Sequence, residues 1–144
     1  MSRKGENNKV DPIKKFKDIQ SIKRILRDKP RDLALFTIGI NTNLRASDLC
    51  RITVATVKNL KPGEDFVLKE KKTGKERRLT LNAACVQTIR QLLESGDFKD
   101  TEQLFKGRRG EIKTTTIIYL VKQWTSLINL KGNYGSHSLR KTWG

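Results

Sequence analysis

The sequence predicts an α+β fold that is mainly α-helical and carries one small antiparallel β-sheet, built as a hairpin. Apolar residues recur every three or four positions along several segments, which is the period of an amphipathic helix. Between those segments, the run DFVLKEKKTGKERRLTLN reads as two strands around a Lys-Thr-Gly-Lys turn. The 144 residues are enough for one domain with its own hydrophobic core.

The N-terminal third predicts two helices after a flexible polar leader of residues 1–10. Asp11 and Pro12 form a helix-start signal, with Asp11 as the N-cap and Pro12 at the first helical position. Pro30 is expected to end this first helix, because proline cannot continue one, and to open a second. The second helix, through LALFTIGINTN, is apolar enough to be the buried centre of the domain.

Turn and cap residues mark the remaining elements. Gly74 supplies the positive φ that a tight hairpin requires, and Asn82 is expected to cap the next helix. Another helix is expected to begin at Thr114–Thr116, and a last one at Ser136 or Ser138. The predicted architecture is therefore a helical domain with the hairpin inserted.

The net charge is the strongest feature of the composition. The chain holds 31 Lys and Arg against 15 Asp and Glu, a formal charge of +16. Such an excess repels itself within a compact domain and indicates a polyanionic partner. A membrane-binding helix would carry its basic residues opposite an apolar face, whereas here they are spread along the chain. Nucleic acid is therefore the expected partner.

The apolar stretches and the cysteines indicate the compartment. The longest apolar stretch, Leu33–Ile40, is far shorter than the roughly 20 residues of a transmembrane helix. The N-terminal residues MSRKGENNK lack the apolar core of a signal peptide, which favours a cytoplasmic protein. Cys50 and Cys85 stand apart in apolar surroundings, as buried reduced thiols do, and a single His is too few for the usual zinc sites.

Several basic residues stand out from the general positive charge. Arg45, among apolar neighbours in NLRASDL, needs an anion or a carboxylate, and Asp48 is the alternative to a bound phosphate. The lysines of KEKKTGKERRL either reach a phosphate or form a solvated turn that resists edge pairing. His137 and Arg140 are three residues apart on one helix face and can act on the same phosphate. Trp143, on a similar face, is expected in the core.

Taken in order, these features resemble the tyrosine recombinase (phage integrase) family of site-specific recombinases. The matching stretches are NTNLRASDLCRIT, EKKTGKERRLTLN and GSHSLRKTWG, and the resemblance covers roughly Pro12 to Gly144. It implies the fold of a tyrosine recombinase catalytic core, with residues 11–144 as part of that domain.

The resemblance implies a specific reaction. In that family a tyrosine attacks a DNA phosphodiester and forms a 3′-phosphotyrosyl link, with no metal ion and no cofactor. Arg45 and Arg140 would hold the non-bridging oxygens and stabilise the added negative charge. Lys72 would protonate the departing 5′ oxygen, and His137 would support the phosphate and assist proton transfer.

The surrounding basic residues are expected to contact DNA: Lys71, Lys75, Arg77 and Lys141. Because hairpin turns slip easily, Lys75 or Lys71 is the alternative to Lys72 as the general acid. Lys141 stands where many members of the family have another His. Double-stranded DNA and further recombinase protomers, as a tetramer of the full-length protein, are the implied partners.

The expected nucleophile is not in this chain. The family's tyrosine lies a few tens of residues beyond the His-x-x-Arg motif, whereas Tyr119 and Tyr134 both precede His137. Tyr119 is expected in the core and Tyr134 to pack against a turn. The nucleophile is therefore expected beyond residue 144, and this piece is expected to bind DNA without cleaving it. The family's N-terminal helical domain is also expected to be missing.

Three alternatives compete with this interpretation. A non-catalytic basic DNA-binding module explains the charge but not the order of the motifs. A metal-dependent transposase or nuclease needs converging carboxylates, for which the candidates are Asp48, Asp65, Glu94 and Asp97. A type IB topoisomerase uses much the same catalytic groups, and the short spacing here favours a recombinase.

Overall fold

The computed structural model describes residues 11–69, 73–135 and 137–143, and for Glu111 and Trp143 it describes the backbone only. The predicted leader, residues 1–10, lies outside this range. In chain order the helices are α1 (Phe16–Ile25), α2 (Pro30–Asn41), α3 (Ala46–Leu49), α4 (Val54–Val57), α5 (Ala83–Glu94), α6 (Thr114–Leu127) and α7 (Ser138–Trp143). Strands β1 (Asp65–Lys69) and β2 (Glu76–Thr80) form one antiparallel pair, and β3 (Lys106–Gly107) and β4 (Gly110–Glu111) form another. The predicted α+β class is confirmed.

The first helix starts later than the sequence predicts. Helix α1 begins at Phe16, so the predicted cap at Asp11 and start at Pro12 are wrong. Asp11 instead forms a paired contact with Asn133. Its backbone N–H donates to the Asn133 carbonyl (2.6 Å), and its carboxylate accepts the Asn133 N–H (2.9 Å). Because these bonds hold Asp11 against the loop before α7, its carboxylate does not cap α1.

Helix α2 is the buried centre, as predicted. Pro30 is in its first turn, and Leu35, Phe36 and Ile38 are fully buried. The Phe36 ring meets Trp124 of α6 edge to face, with the ring centroids 5.7 Å apart. Helices α5 and α7 both pack against α2, so this helix connects the main parts of the fold.

Helix α7 approaches α2 at a glycine. A Cβ atom added at Gly39 would lie 2.6 Å from Cδ1 and 3.0 Å from Cβ of Leu139, which is buried. Only the absence of a side chain at Gly39 allows this contact. The position of α7 therefore depends on the glycine.

The hairpin follows the predicted pattern. Asp65 pairs with Thr80 and Lys69 with Glu76, so the inward side chains are Phe66, Leu68 and Leu79. Gly74 has φ +74° in the turn between the strands, which confirms its predicted role.

The predicted cap at Asn82 and the predicted starts of the last two helices are also found. The Asn82 side chain accepts the Cys85 N–H (3.0 Å) at the start of α5, and α6 begins at Thr114. Helix α7 begins at Ser138, whose hydroxyl accepts the Gly135 N–H (2.9 Å).

Both cysteines are free and buried, as the sequence predicts. Burial raises the pKa of the Cys85 thiol to about 11. Over the ranges that the structure describes, every helix is too short or too polar to cross a bilayer.

Candidate active site

The predicted motifs meet at the loop between α2 and α3. The Asn43 backbone carbonyl accepts a hydrogen bond from Arg77 Nη1 in β2 (2.8 Å). The Asn43 side-chain oxygen accepts one from Arg140 Nε in α7, also at 2.8 Å. The hairpin and the last helix are therefore both attached two residues before Arg45.

Arg45 is the N-cap residue of α3. Its extended backbone (φ −75°, ψ 159°) is the conformation of a helix cap, and its N–H donates to the Asp48 carboxylate at 3.2 Å. Asp48 is fully buried, whereas the Arg45 side chain is half-buried. The Asp48 carboxylate, which is the predicted alternative to a phosphate as the partner of Arg45, thus binds the Arg45 backbone and fixes the start of α3.

His137 immediately precedes α7, and Arg140 is the third residue of that helix. His137 is exposed, and its carbonyl accepts the Lys141 N–H (3.0 Å), while Arg140 is half-buried. The far end of the helix is held by the Thr142 hydroxyl, which accepts the Ile13 N–H at 2.8 Å. Trp143 is expected in the core, but its side chain lies outside the part of the chain that the structure describes, so this stays a prediction.

Two arginines hold the hairpin near its turn. Arg77 binds Asn43, and Arg51, which follows α3, donates from Nη1 to the Lys69 carbonyl at the end of β1 (2.8 Å). Lys75, on the other side of the turn, is exposed. The predicted general acid Lys72 and its neighbour Lys71 lie outside the described residues. The structure thus brings Arg45, Arg77 and Arg140 to one loop and leaves the lysine assignment as a prediction.

Sequence reasoning missed Asn43 and Arg51. Both act through long-range contacts: 97 positions separate Asn43 from Arg140, and 18 separate Arg51 from Lys69. The only available signal was a polar side chain two residues before Arg45, at the end of an apolar helix.

The candidate acidic residues take part in local structure. Asp65 accepts the Thr80 hydroxyl and lies 3.7 Å from Arg78 Nη1, and Asp48 caps α3. Glu94 and Asp97 are exposed around the end of α5. In residues 11–69, 73–135 and 137–143, no three His, Cys, Asp or Glu side chains form a group that could hold a metal ion.

The two tyrosines differ from each other. Tyr119 is 62% exposed on α6, so the prediction that it lies in the core is wrong. The inward face of α6 is filled by Ile117, Leu120 and Trp124, and Tyr119 falls between them. Tyr134 packs against the core beside its turn, as predicted. Burial, with Asp11 and Asp18 nearby, raises the pKa of Tyr134 above its ordinary value.

The fold is shared with solved recombinase structures. XerA recombinase superimposes with a TM-score of 0.75 at 17% identity, covering 96% of this chain and 51% of XerA. Lambda integrase (residues 75–356) bound to DNA gives 0.71 at 15% identity, covering 94% of this chain and 50% of that one. The architecture is therefore that of a tyrosine recombinase catalytic core.

Sequence comparison gives the family. A model of the Phage integrase family matches residues 14–144, and the chain belongs to that family. The "Probable integrase/recombinase YoeC" of Bacillus subtilis (strain 168) is 33% identical over 138 residues, 94% of this chain and 73% of that protein. The "Tyrosine recombinase XerC" of Caldanaerobacter subterraneus subsp. tengcongensis is 35% identical over 119 residues, 79% of this chain and 32% of that protein. The predicted resemblance is confirmed.

Proposed function

We propose that this chain forms the phosphate-activating part of a site-specific recombinase that cleaves and rejoins DNA through a phosphotyrosyl intermediate. The observation that carries the proposal is the double attachment of Asn43 to Arg77 and Arg140, two residues before Arg45. Three motifs that are far apart in the sequence thereby reach one loop. The charge of +16 supports DNA as the partner, and residues 11–144 are proposed as part of the catalytic domain. Because the proposed substrate is DNA, we place the protein in the cytoplasm.

Arg45 and Arg140 are proposed to hold the non-bridging oxygens of the scissile phosphate. Arginine suits this task because its planar guanidinium is always charged and binds phosphate with two hydrogen bonds. The bond to Asn43 uses Arg140 Nε, so the terminal nitrogens Nη1 and Nη2 are the ones assigned to the phosphate. Both arginines would stabilise the charge that develops in the transition state.

Proton transfer is assigned to Lys72 and His137. Lys72 would protonate the departing 5′ oxygen, with Lys75 or Lys71 as the alternative. His137, exposed immediately before α7, would support the phosphate from the side of Arg140.

The remaining cations are proposed to position the duplex. Lys71, Lys75 and Lys141 would bind phosphates of the DNA backbone, which orients a protein on DNA without reading its sequence. Arg77 would act mainly by bracing the hairpin, because one of its terminal nitrogens binds Asn43. Further protomers of the recombinase are proposed to assemble on the same DNA.

DNA binding is expected to weaken steeply with salt. Each neutralised phosphate contributes about −0.9 to the slope of log K against log salt concentration, so about five contacts give roughly −4.5. Fluorescence anisotropy of a labelled duplex at several salt concentrations measures the slope. The variant Lys75→Gln/Lys141→Gln is expected to reduce its magnitude by about 2. Lys58→Gln is the control, because Lys58 is paired with Asp100 (2.8 Å). A slope near zero, or an equal change in the control, contradicts the proposed contacts.

Neither Tyr119 nor Tyr134 is proposed as the nucleophile, and the 144-residue chain alone is therefore expected not to cleave DNA. An attacking tyrosine gains from a lowered pKa or an adjacent base, whereas the pKa of Tyr134 is raised. A nicked suicide substrate that traps covalent intermediates is expected to give no adduct on a denaturing gel. An adduct that disappears in Tyr119→Phe or Tyr134→Phe would overturn this assignment.

Asn43 is proposed as a positioning residue for Arg140. Asn43→Ala removes the acceptor of Arg140 Nε but keeps the backbone carbonyl that binds Arg77. The affinity for orthovanadate, a mimic of the transferring phosphate, is expected to fall about three- to tenfold by calorimetry, as for one lost hydrogen bond. The unfolding midpoint in urea should change little. Asn59→Ala, at an exposed loop residue, is the control, and equal affinities in both variants would contradict the role.

A further inference from the structure

A basic cavity lies outside the candidate active site. It has a volume of about 370 Å³ and opens between α1, α2 and α5. Lys23 and Arg24 line it from the last turn of α1 and Arg27 from the turn that follows, while Gln87 and Gln91 line it from α5. Because residues three and four apart share a helix face, Gln20, Lys23 and Arg24 extend from the same side of α1.

The three cations of the cavity lack carboxylate partners. Within the described parts of the chain, none of the three forms an ion pair, and no carboxylate lines the cavity. Three positive charges around one small cavity repel each other, and an anion between them would relieve that repulsion. The cavity thus favours a negatively charged ligand.

A buried hydroxyl group at the cavity also lacks a partner. Thr37 of α2 lines the cavity and is 1% exposed, yet among the described residues its Oγ1 has no hydrogen-bond partner. The other buried threonines, Thr42, Thr88 and Thr125, each donate to a backbone carbonyl three or four residues earlier. An unpaired buried hydroxyl costs free energy, so a polar atom in the cavity would satisfy it.

The cavity is on the opposite side of α2 from the proposed phosphate clamp. Thr37 and Gly39 are two residues apart on the helix, which places their side-chain directions about 200° apart. Gly39 faces Leu139 of α7, the helix that carries Arg140. A ligand bound beside Thr37 therefore does not occupy the site of Arg45 and Arg140.

We propose that this cavity binds a small organic phosphate, of about the size of a nucleoside monophosphate. The cations would hold the phosphate through charge-assisted hydrogen bonds, and the glutamine amides offer donors and acceptors for hydroxyl or base groups. Leu33 and Ala84 supply an apolar wall. The volume lies within the range of about 300–1,000 Å³ that is typical of small-molecule sites. The inference does not depend on the proposed recombinase function.

Calorimetric titration of the protein with adenosine 5′-monophosphate tests the proposal. Saturable binding is expected for this nucleotide, weaker binding for inorganic phosphate, and weaker binding again for adenosine, which lacks the charge. The variant Arg24→Gln/Arg27→Gln is expected to lower the affinity for the nucleotide at least tenfold, as loss of charge-assisted bonds does. Arg90→Gln/Lys113→Gln removes the same charge from exposed residues outside the cavity and should leave the affinity within about twofold.

A second pair of variants tests the role of the Thr37 hydroxyl group. Thr37→Val is expected to lower the affinity for adenosine 5′-monophosphate about three- to tenfold. Its melting temperature without ligand should be unchanged or higher, because an unpaired hydroxyl is removed. Thr125→Val, at a buried threonine of α6 that donates to the Val121 carbonyl, should not change the affinity.

Two further measurements test whether nucleotide binding in this cavity is independent of the active site and of DNA binding. Arg45→Ala should retain the affinity for adenosine 5′-monophosphate, and the arginine double variant should bind duplex DNA as its control does. The proposal is overturned if no saturable binding occurs or if the control variants weaken binding equally. The proposal is also overturned if Arg45→Ala no longer binds adenosine 5′-monophosphate. The same holds if Arg24→Gln/Arg27→Gln binds duplex DNA more weakly but binds the nucleotide as the wild type does.

Discussion

Replacing Arg45 or Arg140 with alanine is expected to lower the affinity for orthovanadate about ten- to a hundredfold, which corresponds to about 1.5–3 kcal/mol for hydrogen bonds to a charged group. Each change removes a guanidinium that the proposed function assigns to the phosphate oxygens. Arg140 is already oriented by Asn43 at 2.8 Å, so little ordering is needed before the anion binds. Calorimetric titration at constant ionic strength measures the effect.

Two matched variants make this experiment specific to the site. Arg90→Ala removes an exposed arginine of α5 and should leave the affinity for orthovanadate nearly unchanged. Arg45→Lys keeps the charge but cannot form the two parallel hydrogen bonds of a guanidinium, so an intermediate affinity is expected. If Arg45→Ala and Arg140→Ala bind the anion as Arg90→Ala does, the alternative of a non-catalytic basic DNA-binding module is favoured.

The second large effect is expected from Gly39→Ala. The added Cβ would lie 2.6 Å from Cδ1 and 3.0 Å from Cβ of Leu139, and only the outer part of that leucine can turn away. Overpacking of this kind costs about 1–3 kcal/mol, which a lower urea midpoint would report. Because Leu139 precedes Arg140, a displaced α7 also weakens the Arg140–Asn43 bond. The affinity for orthovanadate is therefore expected to fall together with the stability.

Gly96→Ala is the control for the glycine variant. Its Cβ would meet Phe98 Cε1 at 3.5 Å, an ordinary contact, so the free energy of unfolding should change by less than about 0.5 kcal/mol. Equal midpoints for the wild type and Gly39→Ala would show that α7 does not require the close approach to α2.

The sequence predicts those parts of the fold that depend on local signals. Pro30, Gly74 and Asn82 each act within a few residues of their own position, as a helix start, a turn and a cap, and all three predictions are confirmed. Asp11 carries an equally good local signal, but a distant partner, Asn133, takes its carboxylate. The residues next to Asp11 in the sequence cannot reveal that a distant backbone N–H binds its carboxylate.

The candidate site also combines residues that the sequence indicates with contacts that only the structure shows. The types and order of its motifs indicate Arg45 and Arg140, because phosphate chemistry needs guanidinium groups. That Asn43 binds both Arg77 and Arg140 is invisible in the sequence, since these contacts join positions 34 and 97 residues apart. Tyr119 stands among apolar residues in the sequence, yet the helical period turns it outward to 62% exposure, which contradicts the predicted core position.

The contacts of α7 also determine when the proposed phosphate clamp can form during folding. This six-residue helix is too short to be stable alone, and its partners Ile13, Gly39 and Asn43 come from the opposite end of the sequence. The Ile13–Thr142 bond closes a loop of 129 positions, so the entropy of closing almost the whole chain opposes its formation. Arg140 is therefore expected to reach its partner late, after the hydrophobic core has assembled. A partly unfolded chain would carry all the cationic groups and still lack a formed anion site.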